Sequence, residues 1–172
     1  MFVSSMSLMS ILHYFTGRRS NAPVNTSPAT NISLPRYMGR WYEHARFENW
    51  FEAGMDAVYT DYRLRSDGQV EVLNCGTTAK GRRKLSKGRG ICRDTGSLRV
   101  SFVPPYFWFR APYNILYVDP EYQSALVSGD GSDFLWLLTR KAQPPQELVS
   151  TLLSQARLRG FNTEQLRYTK QE

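Results

Sequence analysis

Residues 57–77 read AVYTDYRLRSDGQVEVLNCGT. Val58, Thr60, Tyr62 and Leu64 occupy every second position, so an extended backbone places them all on one face. Ser66-Asp67-Gly68 follows, offering a residue tolerant of positive φ and a side chain that bonds its own backbone, the chemistry of a tight turn. Val70 and Val72 then return in step, and Asn74 continues their face. The stretch is a β-hairpin with one face turned inward.

The same pattern recurs on both sides. Upstream, Trp41 to Arg46 forms a first run, ended by a loop through Asn49 and Gly54. Downstream, a turn at Lys80 to Arg83 leads into a run from Lys84 to Arg93, and Asp94-Thr95-Gly96 leads into a fifth with Leu98, Val100 and Phe102 on one face. After a proline-bounded loop come Tyr113 to Asp119, Gln123 to Gly129 and, past Asp130-Gly131-Ser132-Asp133, Phe134 to Arg140. Short strands with turn signals about every 8–12 residues indicate a sandwich or barrel. Short connections favour an up-and-down meander, and closing eight strands leaves room inside for side chains or one small ligand. The period then changes. Pro144-Pro145 opens a helix with an apolar stripe of Leu148, Val149, Leu152, Leu153 and Ala156, and Gly160 stops it. Leu166 to Thr169 is a last extended piece. The expectation is an all-β, eight-stranded up-and-down antiparallel barrel with one C-terminal α-helix packed outside, over residues 32–172.

With 172 residues, 41% of them apolar and 22% charged, the chain fits one globular domain. Two cysteines exclude a disulfide scaffold, and no uninterrupted apolar stretch reaches the length of about 18 residues that a membrane-spanning helix needs. Residues 1–31 differ in kind, rich in Ser, Thr, Asn, Pro and Met, with Arg18 and Arg19 their only charges. A degenerate secretory signal, a misplaced start and a disordered tail all fit Phe2 to Phe15, and Asn21 to Thr30 reads as a linker.

The net charge of +7 is local. Lys80, Arg82, Arg83, Lys84, Lys87, Arg89 and Arg93 supply seven cations without an acid among them, and the rest of the chain balances. Such a segment is either a solvated hairpin that protects a sheet edge or a patch for an anionic surface. Nucleic acid is not implied, since no aromatic residue is interleaved with these cations.

The first run carries a resemblance. Tyr37-Met38-Gly39-Arg40-Trp41-Tyr42-Glu43 holds the Gly-x-Trp signature that opens a lipocalin, and Gly39 to Phe47 reproduces Gly-x-Trp-Tyr-Glu-x-Ala-Arg-Phe of the bacterial branch related to apolipoprotein D. Asp119-x-x-Tyr122 with Ala125-Leu126-Val127 resembles the second motif, and Leu135 to Arg140 the third. The resemblance covers Leu34 to Tyr168. It implies that Trp41 and Arg140 pack together, with Gly39 beside them, to close the barrel floor. It also implies binding, storage or transport of a fatty acid, lysophospholipid or similar amphiphile near the bacterial cell envelope, in the periplasm or at the outer membrane. Many bacterial relatives are acylated at a cysteine that ends the signal; the first cysteine here is Cys75, which leaves a cytoplasmic address open.

Ligand contacts are expected from Val58, Thr60, Val72, Val100 and Phe102 on inward faces, from Tyr113, whose parity the sequence leaves open, and from Phe47, Trp50 and Phe51 near the mouth. The loop Tyr106, Phe107, Trp108, Phe109 would expose four aromatics; it suits a second copy, a bilayer interface or a fold over the mouth. Joined with Arg82, Arg83 and Lys84 it would make a membrane-facing or dimer-forming rim. No cofactor or metal site is expected, because His13 and His44 are the only histidines. Lys87-Gly88-Arg89-Gly90 lacks the helix of a phosphate loop. Two other readings stand beside the carrier: a dimeric interaction module with a self-filled barrel, and a thiol enzyme using Cys75 or Cys92. Those two cysteines are also candidates for a cross-strand disulfide.

Overall fold

The computed structural model describes residues 23–49, 51–94, 96–101 and 111–171. The hairpin at its centre forms from β2 (Asp56–Leu64) and β3 (Val70–Thr77), with Thr60 opposite Asn74 and Tyr62 opposite Val72. Gly68 turns between them at φ +78°. The remaining strands are β1 (Gly39–Phe47), β4 (Arg83–Asp94), β5 (Ser97–Ser101), β6 (Ala111–Val118), β7 (Ser124–Ser128), β8 (Leu135–Thr139) and a short β9 (Leu166–Tyr168). Each of β2 to β7 pairs antiparallel with the next, β8 pairs with β1, and β1 pairs with β2, which closes an eight-stranded barrel; β9 is added on β1.

Two apolar layers follow from strand alternation. Inside, Trp41, Tyr62, Val72, Val100, Ile115 and Val127 belong to one buried cluster. Outside, Leu126, Leu135 and Leu137 pack under α2 (Gln146–Leu158), whose Val149, Leu152 and Ala156 are buried. Gly160, at φ +87°, ends that helix where a side chain would be strained. A four-residue helix α1 (Leu34–Tyr37), started by Pro35, lies under the barrel and delivers Tyr37 to the core. The sequence pattern does not announce α1, because one turn has no period to read.

β1 carries a bulge between Glu43 and Ala45. The extra residue reverses the alternation, so Trp41, Glu43 and Arg46 face inward while Ala45 and Phe47 face the helix side. Residues 23–31, expected as part of a free linker, instead lie along the barrel. Asn25 N–H donates to the Arg159 carbonyl, Ala29 N–H donates to that of Ile115, and the Arg159 guanidinium donates to the carbonyls of Asn25, Ser27 and Leu116. Paired backbone groups and an arginine clamp hold this segment.

At the other end of the chain, Gln171 donates from its amide to the carbonyls of both Glu43 (2.7 Å) and Val58 (2.9 Å). Ala57 N–H donates to the Lys170 carbonyl. The C-terminal segment therefore fills the wall between β1 and β2 above their last paired residues. The β1–β2, β3–β4 and β7–β8 connections share this upper end, the mouth; α1 lies at the floor.

Candidate ligand cavity

The floor is built on one indole. Trp41 is fully buried and donates from Nε1 to the Tyr37 carbonyl at 2.7 Å. The Arg140 guanidinium lies 3.9 Å from the centre of its ring. No carboxylate neutralises this arginine in the structure described. Its donors go to carbonyls of Arg36, Tyr37, Met38, Arg40 and Tyr122, the shortest at 2.7 Å to Arg40. Cation–π attraction of about 0.5–2 kcal/mol adds to these bonds. Gly39 has φ +93°, and a Cβ there would stand 3.3 Å from Arg140 Nη1; close approach of the arginine, as well as the backbone angle, demands glycine.

Above the indole sit three phenols. Tyr113 Oη lies 2.8 Å from Tyr37 Oη and 2.8 Å from Tyr62 Oη, so one hydroxyl bridges the other two. Burial pushes all three phenols above the usual tyrosine range, and all are neutral. Three hydroxyls have three protons and two mutual bonds to make, and the Thr60 hydroxyl meets Tyr62 as a fourth member of this polar layer.

The wall comes next. Val58, Thr60, Val72 and Val100 lie on inward faces and are buried. Opposite Val72 and Val70, β4 presents Gly88 and Gly90. On this face the strand carries Lys84 and Ser86 nearest the mouth and then the two glycines, while Arg83, Lys87 and Arg89 turn outward. At Gly90 a Cβ would stand 3.3 Å from the Leu98 side chain and 3.6 Å from those of Val100 and Val70, so glycine there lets the barrel's own aliphatic residues close in.

A polar collar lies nearest the mouth. Glu52, from the β1–β2 loop, is 3% exposed. Its carboxylate accepts from Asn49 Nδ2 (2.8 Å), Asn74 Nδ2 (3.1 Å) and Trp136 Nε1 (3.0 Å). Arg46, fully buried, donates to the Glu43 carboxylate and to the backbone carbonyls of Glu52 (2.6 Å) and Met55 (3.2 Å). Thr169 of the C-terminal segment also donates to Glu43. Burial, with the Glu52 charge second, pushes the Glu43 carboxyl up to about 8, against the opposing pull of Arg46. The collar is assembled from four separated parts of the chain, and no spacing signal in the sequence could join them.

Of the residues expected at the mouth, Phe51 packs against Phe134 and Trp136, with ring centres 6.3 and 6.4 Å apart. Phe47, expected to contact ligand, packs outside against Phe161 instead; the β1 bulge is the cause. Trp50, Phe102 and Tyr106, Phe107, Trp108, Phe109 lie outside the described residues. Arg82, Arg83 and Lys84 do not point one way. Arg82 is at the turn, Arg83 Nη2 donates to Tyr59 Oη at 2.9 Å on the outer face, and Lys84 Nζ donates to the Phe51 carbonyl at 3.2 Å across the mouth. Neither cysteine is in a disulfide. Cys75 pairs with Leu85 and Cys92 with Leu98, so the hairpin register keeps the two thiols apart. Cys75 is on the outer side under Arg83, while His44 packs against Tyr168; thiol and imidazole do not meet.

A closed eight-stranded barrel with an outer helix, a floor indole capped by an arginine and an inward face of aliphatic residues defines a lipocalin. The Lipocalin-like domain matches residues 32–171, and the chain belongs to that family. Its members generally bind or transport small hydrophobic ligands. Among relatives, the chain is 36% identical over 154 residues to the outer membrane lipoprotein Blc of Citrobacter freundii, covering 87% of this chain and 85% of that protein. It is 34% identical to the Blc of Vibrio cholerae, covering 87% and 89%, and 28% identical to apolipoprotein D of Mus musculus, covering 92% and 85%. Among solved structures, lobster apocrustacyanin A1 aligns with a TM-score of 0.70 at 18% identity, covering 88% of this chain and 91% of that one.

Proposed function

We propose that the barrel binds a single-chain amphiphile, a fatty acid or lysophospholipid, and stores or carries it at the cell envelope. The observation that supports this reading most is the inward surface: valines facing Gly88 and Gly90, between a floor of shared phenols and a collar of amides and carboxylates. An acyl chain gains roughly 0.8 kcal/mol for each methylene it moves from water into such a wall. A polar head then remains near the mouth, where the collar offers hydrogen bonds.

The envelope address rests on likeness to proteins named outer membrane lipoproteins. Val72→Trp tests the binding site. The indole would project from β3 toward Gly88 and occupy the space of the chain. Fluorescent fatty-acid binding should be lost while cooperative unfolding persists. Retained binding in a folded variant would move the site off the inner wall.

A further inference from the structure

The seven-cation segment is not a tip. In β4 the register against β3 sets Arg83, Leu85, Lys87, Arg89 and Ile91 on the outer face, opposite Thr77, Cys75, Leu73 and Glu71. At about 3.3 Å per residue this row runs some 26 Å down the barrel from the mouth. Arg83, Lys87 and Arg89 are exposed, and Leu85 between the first two is 57% exposed, an unusual burden for an aliphatic side chain on a strand. Leu73 and Ile91 are partly exposed beside it, and Arg99 of β5 adds a further cation opposite Ile91.

Among the described residues, four acids lie near this row; Asp67, in the β2–β3 turn, feels the charge of Arg89 and is bound by Arg65. Glu71 on β3 is held by Arg63 at 2.5 Å, and Asp130 lies 3.8 Å from Arg99. Asp61 on β2 is held by Arg40. The helix α2 packs on β7 at another side of the barrel.

We propose that this outer face of β3, β4 and β5 docks the barrel sideways on an anionic lipid bilayer. Arginine and lysine at alternate positions meet lipid phosphates, and the aliphatic residues between them enter the headgroup boundary, the division of labour found in interfacial amphipathic elements. Aliphatic interleaving fits a bilayer better than nucleic acid, which wants aromatic platforms. Because the row begins at the β3–β4 connection, docking holds the mouth beside the surface. The inference stands on charge and strand parity alone and survives if the cavity ligand is something else.

The test is co-sedimentation of the full chain with vesicles of phosphatidylcholine containing phosphatidylglycerol, against phosphatidylcholine alone. Two triple variants remove equal charge: Arg83→Gln, Lys87→Gln, Arg89→Gln on the face, and Lys80→Gln, Arg82→Gln, Lys84→Gln at the turn and mouth. A cation near an anionic surface contributes about fivefold to partitioning, so the face variant should bind on the order of a hundredfold more weakly. The turn variant should stay well above it, and Leu85→Ser should weaken binding without any charge change. Equal loss in both triple variants would reduce the effect to net charge and overturn the proposal. So would absence of binding to the anionic vesicles, or tighter capture of a single-stranded oligonucleotide through the same residues. Near-ultraviolet circular dichroism confirms that each variant is folded.

Discussion

The Glu52 carboxylate accepts the Trp136 indole N–H at 3.0 Å, which ties the β1–β2 loop to the opposite wall of the barrel mouth. Asn49 and Asn74 donate to the same carboxylate, and Arg46 holds the loop's backbone at the Glu52 and Met55 carbonyls. The loop is thus a strap fastened from within. Glu52→Ala removes the acceptor of one buried donor, Asn49, and two half-buried ones, Asn74 and Trp136, at about 1–3 kcal/mol for each group that water cannot reach. Urea unfolding should show a loss of roughly 2–4 kcal/mol, and stopped-flow release of a bound fluorescent fatty acid should quicken. Unchanged stability would mean the loop is held elsewhere.

Glu43 gives the fold a pH dependence. Its folded carboxyl is raised to about 8 from an ordinary value of 4.5, chiefly by burial. Between those values the native state binds more proton than the unfolded chain, so stability falls as pH rises. The contribution is complete below about pH 4.5 and is lost as pH passes through 8. Glu43→Gln should flatten the slope of unfolding free energy over this window. An unaltered slope would place the responsible group elsewhere.

Arg140 bears on the floor. Arg140→Met keeps bulk over the Trp41 ring but leaves carbonyls of α1 and β1 without their donors. The expected cost is about 3 kcal/mol, combining lost charge-assisted bonds with the cation–π contact. Thermal unfolding that moves by only a degree or two would contradict this role.

The phenol bridge is asymmetric. Tyr113→Phe removes the shared partner of the Tyr37 and Tyr62 hydroxyls, leaving Tyr62 only Thr60, while Tyr62→Phe takes from Tyr113 one of its two partners. Tyr113→Phe should therefore cost more, by about 1 kcal/mol, in equilibrium unfolding. Equal costs would show that a bound water or ligand group takes the missing place.

Local pattern carried the fold a long way. The alternation of Val58, Thr60 and Tyr62 with Val70 and Val72 is a backbone property, and the structure keeps it residue for residue. The helix stripe held for the same reason, with Val149, Leu152 and Ala156 on the buried side. What failed was whatever depended on one inserted residue or on distant parts of the chain. The β1 bulge is invisible in composition, yet it sends Phe47 outward and Arg46 inward. Glu43, Glu52, Asn74 and Thr169 are unremarkable polar residues until closure brings them together. The basic segment was legible as charge but not as a row, because its direction depends on which side of β4 faces the barrel.

Native mass spectrometry of the purified protein, followed by solvent extraction and lipid identification, tests the carrier reading most directly. We expect one acyl amphiphile per barrel, retained at low activation energy and absent from the Val72→Trp variant. A barrel that arrives empty and refuses both fatty acids and lysophospholipids on titration would contradict the reading and favour a self-filled interaction module.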